Sequence, residues 1–145
     1  MRMQLPEEQV SMYSPLTLAY VGDGVYELLV RGHISKEENL PANKLHHRAT
    51  SYVAAGYQSA YMELLLPRLT PQEEAVYKRG RNAKSHTMAK NSSVLDYKRA
   101  TGLEALFGYL YLTGQEQRLE ELFEVICQHH DEVVEEYRRE RAQKG

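Results

Sequence analysis

The sequence predicts an all-α protein built as one helical bundle, and three observations carry that prediction. Apolar residues recur at helical spacing along almost the whole chain, while no stretch alternates with the period of two that a strand requires. Helix punctuation falls between those segments, at Ser14-Pro15, Thr70-Pro71-Gln72-Glu73 and Thr113-Gly114. The 145 residues, 42% hydrophobic and 26% charged, suit one globular domain over 1–145 with a core of its own. No repeat, linker or low-complexity tract divides it.

Taken in order, the first helix is expected from about Leu16 to His33, opened by Ser14 as cap and Pro15 in the first turn. A second starts near Pro41-Ala42-Asn43, turns Leu45, Ala49, Tyr52, Val53, Tyr57, Ala60 and Tyr61 inward, and ends at Leu64-Leu65-Leu66-Pro67. A third begins at Thr70, with Glu73 placed for a capping box, and reaches at least Lys78. Arg79 to Ser93 reads as a long polar loop, and loops of that length are usually functional or disordered. Helix resumes from about Val94 to Leu112 and stops at Thr113-Gly114. The last segment, about 115–145, is an acidic amphipathic helix and tail, apolar through Leu119, Leu122, Phe123, Ile126 and Val133.

Composition excludes several function classes. No apolar run approaches the roughly 20 residues that cross a bilayer, and the first ten residues hold Glu7 and Glu8 rather than a signal peptide's apolar stretch. The single cysteine, Cys127, rules out an intramolecular disulfide or a cysteine-based zinc site. A cytoplasmic protein is expected. The net charge of −2 conceals segregation. From Ala75 to Leu95 there are Lys78, Arg79, Arg81, Lys84 and Lys90 and no acid, whereas the segment from Glu116 to Glu140 is strongly acidic. A concentrated basic patch suits a polyanion whatever the global charge. Lys and Arg neutralise phosphates, and Asn82 and Ser85 can hydrogen-bond phosphate or sugar. The same run could be a solvated loop.

Two carboxylates stand out because each lies in an apolar, small-residue run: Asp23 in Tyr20-Val21-Gly22-Asp23-Gly24-Val25-Tyr26-Glu27, and Glu104 in Gly102-Leu103-Glu104-Ala105-Leu106-Phe107-Gly108-Tyr109. Burying such a group is costly unless something pairs with it. Glycines inside helices signal close packing or ligand approach. Helices crossing at those glycines would join Asp23 to Glu104, and two oxygen ligands without cysteine fit Mg²⁺, with Mn²⁺ as the other choice. The alternative pairs Asp23 with a basic side chain and leaves Glu104 on a helix surface. Glu27, one turn after Asp23, is either a further ligand or the ion-pair partner of Arg31. The adjacent pairs His46-His47 and His129-His130 point in different directions on a helix and do not chelate one ion. They read as surface or RNA-facing residues, His46 being the one kept as a possible site residue. Most of the 11 tyrosines read as core.

These residues resemble a known family. Tyr20-Val21-Gly22-Asp23-Gly24-Val25 resembles the Gly-Asp core of the ribonuclease III signature, and Glu104-Ala105-Leu106-Phe107-Gly108-Tyr109-Leu110 resembles its second acidic motif. Leu18 to Asp23, Lys78 to Ser85 and Glu104 to Leu106 are closer still to the Mini-III ribonucleases, compact members without the appended double-stranded-RNA-binding domain. The resemblance spans about residues 14–122. It implies a ribonuclease III-type fold, a symmetric dimer, and Mg²⁺-dependent hydrolysis of double-stranded RNA to 5′-phosphate and 3′-hydroxyl ends. It further implies Asp23 and Glu104 as catalytic metal ligands. RNA would be gripped by Lys78, Arg79, Arg81, Asn82, Lys84, Ser85 and Lys90, and the implied substrate is the 23S ribosomal RNA precursor. A ribosomal protein is a possible partner. Where the larger enzymes carry further acids this chain has Ala19, Thr101 and Lys44. An inactive RNA-binding or ribosome-assembly module on the same fold therefore stands as the alternative, and Thr101 as a possible site residue.

Overall fold

A computed structural model of the chain describes residues 3–84 and 93–144. Within them run α1 (Glu7–Ser11), α2 (Pro15–Glu37), α3 (Ala42–Val53), α4 (Ala55–Leu65), α5 (Pro71–Asn82), α6 (Val94–Leu112) and α7 (Glu116–Lys144), and no strand. The expected all-α class is therefore correct. Local punctuation behaves as read. Ser14 Oγ accepts from the Leu16 amide with Pro15 in the first turn. Thr70 and Glu73 form the reciprocal capping box at 2.9 and 3.1 Å. Gly114 takes φ +76° after α6, the left-handed conformation that closes a helix without a Cβ penalty.

The bundle is organised around α6. Its faces pack on α2, α5 and α4, so Leu103, Ala105, Leu106, Phe107, Tyr109 and Leu110 are all buried. A helix apolar on every side can lie only inside a bundle, and that placement takes Glu104 inside with it. Tyr26 on α2 meets Phe107 and Phe123 edge-on, at centroid distances of 5.5 and 6.1 Å, which locks α2, α6 and α7 together. The acids of α7 from Glu120 onward face water, while Leu119, Leu122, Phe123, Ile126, Val133 and Val134 turn inward.

Three expectations need correction. The second helix is two, α3 and α4, broken at Ala54, where ψ is 144°. No proline or glycine stands there; tertiary donors take up the freed carbonyls. Tyr61 Oη donates to Ser51 at 2.9 Å, Tyr26 Oη to Tyr52 at 2.7 Å and Gln58 Nε2 to Val53 at 3.0 Å. Next, Arg79 to Asn82 are helical, not loop, because α5 lays Tyr77 and Gly80 on α6 and that contact holds its last turn. Finally, α1 was not anticipated. Its short segment is held by tertiary bonds, with Tyr109 Oη donating to Glu7 at 2.8 Å and Arg79 Nη2 to the Tyr13 carbonyl at 3.0 Å.

Candidate active site

The α2–α6 crossing brings the two acids together. A Cβ on Gly22 would collide with the Glu104 carbonyl oxygen, and one on Gly108 with the Leu18 carbonyl oxygen. Backbone therefore meets backbone, a spacing only glycine allows. The other two glycines behave differently from expectation. An added Cβ on Gly24 would meet nothing within 4 Å among the described residues, and one on Gly102 would lie 2.6 Å from the Tyr77 ring on α5, not against α2.

Asp23 is exposed at the mouth of the crossing, whereas Glu104 is recessed behind it. Burial pushes the Glu104 carboxyl up to about 8, helped by the Asp23 charge, by a hydrogen bond between the two carboxyls and by the more distant Glu27. This removes the alternative of a solvent-facing Glu104. Glu27 does not complete a triad: its carboxylate pairs with Arg31 at 3.1 Å. Among the described residues no group of three or more His, Cys, Asp or Glu forms a metal cluster.

One residue of the site escaped the sequence reading. Gln58 is 3% exposed, and its side-chain amide lies near enough to Glu104 to lower that carboxyl's affinity for a proton. Its Nε2 also donates to Val53, while Oε1 is the only buried side-chain polar atom without a partner among the described residues. The available signal was the one that exposed Asp23: a polar residue inside the apolar run Tyr57 to Met62. Two carboxylates and an unpartnered amide oxygen are hard oxygen donors, and their chemistry fits a small divalent cation.

The other expected residues are more scattered. Ala19 and Thr101 are buried beside the acids, but Thr101 Oγ1 donates to its own helix at the Tyr97 carbonyl, 3.0 Å away. Lys44 is exposed on α3. His46 is also exposed there and lines a groove of about 250 Å³ with Arg31, Ile34 and Leu45. At the end of α5, Lys78 pairs with Glu74 at 3.5 Å, Arg79 ties down the segment after α1, and Arg81 lies over the Tyr77 ring at 5.6 Å. Asn82 accepts from Arg81 Nε at 3.2 Å, and Lys84 is exposed. Ser85 and Lys90 lie outside the described residues.

Comparison with known proteins shows the family and the fold. Residues 16–115 match the Ribonuclease III domain family. The Mini-ribonuclease 3 of Clostridium tetani is 41% identical over 130 residues, covering 89% of this chain and 86% of that protein. The Mini-ribonuclease 3 of Enterococcus faecalis is 52% identical over 109 residues, covering 74% and 83%. A crystal structure of a Fusobacterium nucleatum protein superposes with a TM-score of 0.74 at 29% identity, over 81% of this chain and 93% of that one.

Proposed function

The chain belongs to the ribonuclease III family, among its Mini-III ribonucleases, and from that premise we propose that it is a Mg²⁺-dependent endoribonuclease that cuts both strands of double-stranded RNA. Mn²⁺ would serve as substitute. The observation that carries this reading is the Asp23–Glu104 pair, held by glycine-lined backbone contact and turned toward solvent on the Asp23 side. Nothing in packing alone calls for two acids hydrogen-bonded at a helix crossing, since they repel once ionised.

Asp23 and Glu104 would hold the metal, with the Gln58 amide beside them. The bound cation would supply activation of a water molecule and neutralisation of charge on the reacting phosphate. Glu104 must be ionised to act as a ligand, so its carboxyl gives up its proton when the cation binds. Asp23, at the mouth, meets the scissile strand first, while α6 keeps Glu104 from bulk water. The basic end of α5, with Arg81, Asn82 and Lys84, would take phosphates of an A-form duplex, which is recognised by shape and backbone contacts. The 23S ribosomal RNA precursor is the first duplex to test.

A two-fold dimer is part of the same proposal, because one acid pair per chain then serves each strand. A stripe on α2 supports it: Leu16, Tyr20, Gly24 and Leu28 recur every four residues, with Tyr20 80% and Leu28 67% exposed. Gly24, where an added Cβ would meet nothing within 4 Å among the described residues, would let a second helix approach.

The test is incubation of the protein with long duplex RNA, with Mg²⁺ or with EDTA, beside Asp23→Asn. Cleavage that needs the ion and is lost in the variant is expected. Binding without cutting under every divalent ion would support an RNA-binding module instead, and no binding at all would remove both readings.

A further inference from the structure

Gln58 has two features that a purely structural glutamine would not need. Capping the α3 carbonyl at Val53 uses one hydrogen of Nε2, and the neighbouring carbonyls of the same break are capped by tyrosine hydroxyls with nothing left over. Gln58 also reaches past the break to the neighbourhood of Glu104, whose affinity for a proton it lowers. It also keeps a buried oxygen, Oε1, unpaired among the described residues, a state that is costly unless a water or ion completes it. The orientation of the amide is fixed by chemistry, because the flipped form would set Oε1 against the Val53 carbonyl.

We infer that Gln58 is a positioning residue of the site: its amide N–H holds the Glu104 carboxylate in place against Asp23, and its Oε1 accepts from water brought in with the bound cation. The inference rests on the proposed metal-dependent reading. It makes the α3–α4 break a working part. The break places Gln58 at the start of α4, opposite Glu104 on α6, so three helices and not two build the site. A partner behind a metal ligand usually changes ion affinity or activity by about 10–100-fold when removed.

Mg²⁺ binding to the RNA-free protein would be measured by calorimetry for wild type, Gln58→Leu, Gln58→Met and Tyr61→Phe. Gln58→Met keeps the length of the side chain and guards against a variant that does not fold. Tyr61→Phe removes a cap from the same break without touching Glu104. Affinity about tenfold weaker in either Gln58 variant and unchanged in Tyr61→Phe is the expected result; equal affinities in all four proteins would overturn the inference. In the wild type, the Gln58 side-chain amide resonances should shift as Mg²⁺ is added, at the concentrations that move the Asp23 and Glu104 signals. An ion that binds while the Gln58 resonances stay still also overturns it, and leaves the proposed function standing. A wild type that takes no Mg²⁺ and cuts no RNA removes the proposed function and this inference with it.

Discussion

Gly22→Ala is the substitution that bears most directly on how the site is made. In a helix interior the change is normally favourable by about 1 kcal/mol. Here the added methyl meets only backbone: the Glu104 carbonyl oxygen, the Glu104 carbonyl carbon at 2.5 Å and the Gly108 nitrogen at 2.8 Å. None of these can swing aside as a flexible side chain would, so α2 and α6 must separate. Overpacking costs about 1–3 kcal/mol in ordinary cores, and a rigid backbone contact belongs at the top of that range. After subtracting the propensity gain, the net loss is about 2 kcal/mol, or roughly 6 °C in Tm at about 3 °C per kcal/mol. The methyl of Gly32→Ala on the same helix meets nothing within 4 Å among the described residues, so the variant should gain stability, which makes it the control for propensity. Urea denaturation of the two variants reads the difference. Separation of the helices also moves Asp23 from Glu104, so cleavage of duplex RNA should fall about 100-fold. A Gly22→Ala protein as stable and active as Gly32→Ala would refute the idea that close backbone contact forms the site.

Three further outcomes follow from the geometry. Glu104 has an ordinary value of 4.5 and is pushed up to about 8 in the fold, so the folded state holds the proton more tightly. Its contribution is full below 4.5 and is lost as pH rises through 8, by up to about 5 kcal/mol; urea midpoints in EDTA should fall over that window, and Glu104→Gln should flatten the slope. Tyr26→Phe leaves the Tyr52 carbonyl without its donor at the helix break and should cost about 1–2 kcal/mol, read by denaturation at unchanged m. Leu28→Lys places a charge on the exposed α2 stripe and should give a monomer in sedimentation velocity, with the two strands no longer cut together.

What could be read from the sequence depended on the range of the forces involved. Ser14-Pro15, the Thr70–Glu73 box and Thr113-Gly114 act within one turn of themselves, so helix ends set by them were legible. The break at Ala54 was not, because its carbonyls are satisfied by Tyr26, 26 residues before Tyr52, and by Tyr61 and Gln58 from the next helix. Arg79 to Asn82 looked like loop because their own residues are polar; contact of Tyr77 and Gly80 with α6 keeps them helical.

The sequence by itself determined the helical class and the choice of Asp23 and Glu104 as the acids worth bringing together, since a carboxylate among apolar residues and glycines is conspicuous without coordinates. It also supplied the segregated charge that points to a polyanion. Only the tertiary structure decided which glycines make the crossing, that Glu104 is recessed while Asp23 meets water, that Arg31 pairs with Glu27, and that Gln58 is buried with its amide oxygen unpartnered among the described residues. Those outcomes depend on desolvation and on distances between residues far apart in the chain, and neither is a property of local sequence.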